Sequence, residues 1–364
     1  MLNCDNYRGI KLIEYGMKVL EKIVERRLRV ITSIDDMQFG FVAGKSTTDA
    51  IFVVRQVQEK MLEGNEKLYC CFVDLEKAYD RVPRELIWWC MRRKGIPEKL
   101  VRMVKEMYNG ARTAVRAPGG MSDEFEVTVG LHQGTALSPY LFVLMMDVVS
   151  EVVSEVIRKG LLWEVLFADD LVIMATSMEE LQQRVLTWQK GLEGRGLKMS
   201  GKKTEVMVSS REGGEVINIK DRNEKVLKQV DRFKYLGSGI SESGGCEEAV
   251  RERIAAGWLK WRGMTGVLCD KRIPLRLKAK IYRTVIRPVL LYSTETMAMR
   301  KSEEKRLEVT EMRMLRWLTG TSLRERRTNE EIRKKVGVVA ISEKCREGRM
   351  RWLGMWKGVV SKVN

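Results

Sequence analysis

A chain of 364 residues that is 44% hydrophobic has room for two or three packed subdomains, and its net charge of +17 gives it a basic surface suited to phosphates. No apolar run reaches membrane-spanning length, and the N-terminus lacks the basic-then-apolar pattern of a signal peptide. Seven cysteines with no C-x-x-C pair read as reduced thiols of an intracellular protein, and a single histidine, His132, leaves zinc knuckles and histidine-based catalysis almost nothing to work with. Chemistry on this chain must run on carboxylates, lysines and metal.

Met17, Leu20, Ile23, Val24 and Leu28 recur at helical spacing and predict an amphipathic first helix. A loop around Gly44 follows, with Ser46 or Thr47 as cap of a second helix from Asp49 to about Met61. Leu68 to Val73 is an unbroken apolar run that reads as a buried strand ending at Asp74. Pro83 opens a helix to Lys94, and another carries Leu100, Val101, Val104 and Tyr108. Alternating residues 113–116 and 125–129 flank Pro118-Gly119-Gly120, a hairpin signal.

Ser138-Pro139 has the form of an N-cap and first helical residue, opening a long apolar helix through Ile157. Val165-Leu166 and Leu171 to Met174 then bracket Phe167-Ala168-Asp169-Asp170, predicting a hairpin with two carboxylates at its tip. Ser177 caps the next helix. Strands and helices interleave up to Leu236, which suits an α+β sheet with helices on one face. Beyond about residue 240 the chain reads as helical, basic and tryptophan-rich, with five of its nine tryptophans.

Nucleotidyl transfer displaces a leaving group in line at phosphorus, and two divalent ions about 3.5–4 Å apart can bind both the attacking and the leaving oxygen. Magnesium takes hard oxygen ligands and keeps several waters, so two or three carboxylates plus nucleotide phosphates suffice. Asp74, Asp169 and Asp170 supply that set if their strands are neighbours. An Asp-Asp pair alone is weak, because short polar side chains also favour turns.

The surrounding blocks strengthen the reading. Asn6-Tyr7-Arg8-Gly9-Ile10-Lys11-Leu12 and Gln38-Phe39-Gly40-Phe41 through Ala50 are followed by Asp74 with Lys77-Ala78-Tyr79-Asp80. Gln133-Gly134-Thr135-Ala136-Leu137-Ser138-Pro139 and Phe167 to Asp170 come next. Gly196-Leu197-Lys198 with Lys203-Thr204-Glu205, and Phe233-Lys234-Tyr235-Leu236-Gly237, complete the series. In this order the seven blocks resemble the reverse transcriptase domain of non-LTR (LINE-type) retrotransposons, most closely the RTE-like clade, nearly end to end.

The resemblance implies a right-hand polymerase: fingers over 1–67, a palm with an antiparallel sheet and interleaved finger elements over 68–240, a helical thumb over 241–330 and a truncated basic extension over 331–364. It implies an RNA-directed DNA polymerase that adds dNTPs to a primer 3′ end on an RNA template, using two Mg2+ with Mn2+ as a substitute, inside the cell in nucleus or cytoplasm. Asp74, Asp169 and Asp170 would be catalytic metal ligands. Arg8, Leu75, Tyr79, Gln133, Gly134 and Lys203 would bind nucleotide, with Tyr79 as steric gate against a 2′-hydroxyl. Tyr235, Leu236 and Gly237 would form the primer grip. Asp80 is expected to orient backbone, and Ser138 to cap a helix, since no histidine activates it.

Departures from the family pattern are also present. The fingers loop F-R-P-G-R-S reads Phe41-Val42-Ala43-Gly44-Lys45-Ser46, Tyr292-Ser293-Thr294-Glu295 replaces Y-G-x-E, and Gly354-Met355-Trp356 replaces a G-H-V pattern. The resemblance implies that the sequence starts inside the fingers, so that no endonuclease domain is expected within this chain. Two other readings stand beside the enzyme: an inactive retroelement relic that only binds nucleic acid, and a palm polymerase of RNA-type nucleotides or a maturase, against which Tyr79 and the Phe-Ala-Asp-Asp block weigh.

Overall fold

The strand β1 (Leu68–Val73) is buried on both faces. A strand that reads as continuous apolar sequence must be covered above and below, and this one lies third in a five-stranded sheet. The computed structural model describes residues 10–117, 119–154 and 164–360, the side chains of 117, 154 and 354–360 aside. Preceding β1 are α1 (Tyr15–Ile31) and α2 (Thr47–Glu63); α3 (Ala78–Arg81), α4 (Arg84–Arg93) and α5 (Glu98–Tyr108) follow it. The expected hairpin is a bent double ribbon: β2 (Arg112–Thr113) pairs with β5 (Phe125–Glu126), and β3 (Arg116–Ala117) with β4 (Gly120–Met121). Next come α6 (Ser138–Ser154), the hairpin β6 (Glu164–Phe167) and β7 (Asp170–Ala175), α7 (Met178–Glu193), β8 (Glu205–Ser209) and β9 (Lys228–Gln229).

The sheet order is β6-β7-β1-β8-β9, antiparallel throughout except for the β8–β9 pair. Alternate residues Tyr69, Cys71, Val73, Leu171, Ile173 and Ala175 join a core with α4, α6 and α7. The intervening Cys70, Phe72, Val172 and Met174 are equally buried, and α2 meets β1 and β6. Gln58 of α2 donates to Ser209 Oγ of β8 at 2.7 Å. Helices therefore cover both faces, not one as the interleaving suggested. The difference is physical: α2 precedes the first strand, so strand and helix alternation says nothing of where it docks.

Helix α6 is apolar all round because it runs through the core. Its start departs from the expected cap: Ser138 lies in the first turn, and Thr135 Oγ1 accepts its amide at 3.1 Å. The buried Ser138 hydroxyl bonds Tyr108 and Thr135 instead. The residues after 154 to which this helix was expected to run lie outside the described ones.

The chain divides into two compact units, 1–231 and 232–364. The second holds the hairpin β10 (Arg232–Tyr235) and β11 (Ser238–Ser241), then α8 (Glu247–Arg262), α9 (Thr265–Leu268), α10 (Leu275–Ile281), a π turn over Tyr282–Ile286, α11 (Arg287–Leu291), α12 (Lys301–Thr319), α13 (Asn329–Val336) and α14 (Ile341–Val360). Glu311, fully buried, accepts from Tyr282 OH at 2.9 Å and the Ile341 amide at 3.0 Å and pairs with Arg287 at 3.2 Å. Trp261 and Trp352 are buried and Trp258 packs on the core, whereas Trp317 is 67% exposed. Residues 232–364 carry 31 Lys and Arg against 15 Asp and Glu, while residues 1–231 carry 35 against 34, so nearly all the excess charge belongs to the second unit. No helix among the described residues is long and apolar enough to cross a membrane.

Phe72 fills the α2 face of the sheet centre, so Phe72→Ala opens a cavity there. We expect a loss of about 3–5 kcal/mol, read as a fall in Tm on the order of 10 °C. A fall of less than about 2 °C would show that this face is not packed as described.

Candidate active site

Val73 of β1 pairs with Leu171 of β7. Extending that antiparallel register by one residue sets Asp74 beside Asp170, at the Cα spacing of roughly 5 Å that paired strands keep. Both have even numbers in their strands and so belong to the same face as Phe72 and Val172. Phe167 pairs with Asp170, which leaves Ala168-Asp169 as a two-residue turn. Asp169 thus lies in the turn and Asp170 opens the strand, a division that the expected tip doublet did not specify. Ala168 holds φ at +57° while 2% exposed, a left-handed conformation that costs an alanine energy and must be imposed by its surroundings.

Asp74 is held through its backbone. Its amide donates to Thr204 Oγ1 at 3.3 Å, and its carbonyl accepts from the Ser200 amide at 2.8 Å. The sequence pointed to Lys203 in this block; it missed Thr204, a fully buried hydroxyl whose only signal is its place beside that lysine. Lys203 Nζ lies 3.6 Å from Asp74 Oδ2, an ion pair with an exposed lysine, and Oδ2 itself is buried without a hydrogen-bond donor.

Desolvation by the surrounding protein, then the charges of Asp169 and Asp74, push the Asp170 pKa up from 3.8 to about 6, although the residue still presents surface to solvent. Hard oxygen donors, an orphaned Oδ2 and mutual repulsion fit a divalent cation, whose charge would relieve all three. Among the described residues no three acidic, His or Cys side chains close into a ready-made ion cage. The aspartates are neighbours at the strand ends and the turn between them.

Tyr79 stacks on Phe142 at 4.4 Å between ring centroids, and burial followed by the Asp169 charge pushes its phenol pKa well up. Leu75 is buried and bridges Met199. Gln133 donates through Nε2 to Asp80 Oδ1 at 3.0 Å, so Asp80 orients a side chain and not the expected backbone. Gly134 has φ +94°, and a Cβ there would meet Ile10 at 3.1 Å. Arg8 lies outside the described residues.

Lys11 sits against the same segment: its amide donates to Gln133 O at 2.9 Å and its ammonium to His132 Nε2 at 3.1 Å. Burial, then Lys11 and Arg84, push the His132 pKa down to about 4, so the imidazole is neutral at physiological pH. The one histidine is a strut. Lys45, the cation left in the altered fingers loop, is also spent internally, donating to Asp35 O at 3.4 Å and Gln38 O at 3.2 Å.

Tyr235, Leu236 and Gly237 belong to the second unit. Tyr235 pairs with Ser238, so Leu236-Gly237 is a two-residue turn with φ +46° and +80°. Its carbonyls accept from Tyr292 OH at 2.7 Å and from Arg253. Ser293, where the family pattern has glycine, adopts φ +58° and donates to Ser238 Oγ at 3.0 Å, a bond that helps hold the conformation glycine would take freely. An open cavity of about 710 Å3 beside Trp317, Met312 and Leu323 contains none of the expected site residues.

Because the folded-state pKa of Asp170 lies above its ordinary value, proton uptake stabilises the fold. That contribution is complete below about pH 4 and is lost as pH rises through about 6. Asp170→Asn, which never ionises, is therefore expected to raise the Tm of the chain in EDTA at pH 7.5 by about 1–3 °C, allowing for solvent screening, and to leave it unchanged at pH 4. Equal shifts at both pH values in calorimetry would contradict the electrostatic account.

Comparison with known proteins bears on what this arrangement is for. Residues 3–240 match the family model described as reverse transcriptase (RNA-dependent DNA polymerase). The chain is 23% identical over 378 residues to an RNA-directed DNA polymerase from mobile element jockey of Drosophila funebris, covering 95% of this chain and 39% of that protein. It is 26% identical over 251 residues to the Pol polyprotein of the type-2 retrotransposable element R2DM of Drosophila melanogaster, covering 66% of this chain and 24% of that one. It thus spans well under half the length of these non-LTR relatives. Telomerase from Candida albicans, solved in complex with a fragment of telomeric RNA, superposes with a TM-score of 0.50 at 11% identity over 89% of this chain and 59% of its own, which agrees with a right-hand polymerase fold. With well over half of its length matched by that model, the chain belongs to the reverse transcriptase (RNA-dependent DNA polymerase) family.

Proposed function

We propose that this chain is the RNA-directed DNA polymerase segment of a non-LTR retroelement, of RTE-like type, extending a DNA primer with dNTPs on an RNA template inside the cell. The observation that carries the reading is the convergence of Asp74 and Asp170 on neighbouring strand ends, with Asp169 in the turn beside them. Asp74, Asp169 and Asp170 would hold two Mg2+, for which Mn2+ substitutes. Bound there, the ions would supply charge to the attacking and leaving oxygens and to the phosphoryl group in transfer.

The chain's own residues do the rest. Tyr79 would exclude a ribose 2′-hydroxyl with its ring, and its stacking on Phe142 supports this by bracing the ring. Leu75 supports the strand end beneath the sugar. Gln133, which Asp80 steers, and Gly134, where backbone can approach closely, would contact the nucleotide and template base. The exposed Lys203 would exchange its partner Asp74 for the pyrophosphate leaving group. Arg8 is assigned to the triphosphate from the motif alone.

In this reading the first unit supplies fingers and palm and the second a thumb with a basic extension, and the turn Tyr235-Leu236-Gly237 grips the primer. The charge asymmetry supports a nucleic-acid role for the second unit, since phosphate neutralisation needs such an excess.

Primer extension on an RNA template tests the activity. The wild-type chain should extend with dNTPs and Mg2+, and Asp169→Ala should fall to background; salt-sensitive binding with no incorporation by either would mark an inactive relic. Tyr79→Val should raise ribonucleotide incorporation relative to dNTPs by about tenfold or more, the scale on which a pocket discriminates by shape. An unchanged ratio would remove Tyr79 from sugar selection.

A further inference from the structure

The segment Gln38-Phe39-Gly40 runs alongside the hairpin that carries Asp169 and Asp170. Phe39 donates its amide to Leu166 O at 2.8 Å and Leu166 returns its amide to Met37 O at 3.0 Å, a parallel bridge to β6. Nothing in the sequence signals this pairing, because an isolated bridge has no period.

Gln38 is 1% exposed. Its Oε1 accepts two amides at once, from Gly40 at 2.9 Å and from Ala168 at 3.1 Å. The orientation of the carboxamide is fixed by chemistry: turned over, its NH2 would face two N–H donors. The amide it holds at the hairpin belongs to the one turn residue with positive φ. Gly40 closes on the same place: a Cβ there would lie 2.4 Å from Ala168 N and 3.0 Å from Phe167 C. Only glycine admits the approach.

The strap is itself anchored to the core. Asp35 donates its amide to Asp147 Oδ1 at 2.9 Å and accepts the Met37 amide at 2.8 Å. Asp147, buried on α6, pairs with Lys94. From α6 to the turn, each link is a directional bond.

We propose that Gln38 and Gly40 are positioning residues for the catalytic hairpin: they impose the left-handed turn at Ala168 and thereby set the aim of the Asp169 and Asp170 carboxylates toward a divalent cation. The inference rests on the reading of those aspartates as metal ligands. Removing the Oε1 acceptor lets the alanine relax toward negative φ, which rotates both carboxylates away without dismantling the sheet. Partners one shell out from metal ligands typically govern metal affinity by about 10- to 100-fold.

The test compares Gln38→Met, which keeps length and loses the acceptor, with Gln58→Met, which removes a buried glutamine bonded to Ser209 at a distant strand end. Two readouts are taken: the Mg2+ concentration for half-maximal primer extension, and the rise in Tm that Mg2+ produces in the chain bound to a primed template. Gln38→Met should raise the half-saturating Mg2+ by about tenfold and shrink the Mg2+-induced Tm rise, while Gln58→Met changes neither. Adding Ala168→Gly to Gln38→Met should recover most of the loss, because glycine takes positive φ without the steric cost that drives alanine out of it. Gly40→Ala should reproduce the defect and resist that rescue, since its contact is with backbone; it also stands in if Gln38→Met does not fold. Equal Mg2+ dependence for Gln38→Met and Gln58→Met, or no recovery with Ala168→Gly, would overturn the proposal while leaving the metal-ligand reading intact. Full extension by Asp169→Ala would instead remove that reading, and the proposal with it.

Discussion

Like charges held side by side are the constraint around which the first unit is organised. The pairing of β1 with β7 fixes where Asp74 and Asp170 can be, and antiparallel register admits no drift without turning every core side chain to the wrong face. Burial on both faces makes that register costly to change. Burial first, and then the charges of Asp169 and Asp74, hold the pKa of Asp170 above its ordinary value. In the proposed reading a bound cation relieves this electrostatic tension, and until then the frame carries it.

Much of the surrounding structure can be understood as that frame. Thr204 and Ser200 hold the backbone on either side of the Asp74 side chain. Gln38 and Gly40 brace the turn from the other side, and Asp147 ties their strap to the core helix. The single histidine and the fingers lysine, which a motif search would offer as functional cations or bases, are absorbed into packing and loop closure. The second unit has another balance: few carboxylates, a strong excess of guanidinium and ammonium groups, and a buried Glu311 that neutralises cations inside the bundle. In the proposed reading that excess charge meets phosphate, and screening then makes the affinity dependent on salt.

The features legible in the sequence were those with a local period or a local signature. Leu68 to Val73 announced a doubly covered strand, Ser46 and Asp49 a helix start that the structure closes as a reciprocal cap, and Phe167 to Asp170 a hairpin. What could not be read depends on groups far apart in the chain. The docking of α2 on the second face, Thr135 replacing Ser138 as the cap, and the Gln38 to Ala168 bond across 130 positions leave no imprint on neighbouring residues. The left-handed alanine was equally hidden, since nothing about Ala168 favours positive φ and only its surroundings impose it. Ser293 shows the reverse: a departure from the family pattern takes the left-handed conformation open to glycine and adds a hydroxyl bond to Ser238.

The central claim is that three aspartates converge on a pair of cations. Electron paramagnetic resonance of Mn2+ bound to the chain, together with a primed RNA template and a non-hydrolysable dNTP, measures this most directly. The account expects two tightly held ions with magnetic coupling between them, as a separation of about 4 Å requires, and loss of that coupled signal in Asp74→Ala. Isolated, uncoupled Mn2+, or a coupled signal that survives the loss of Asp74, would contradict it.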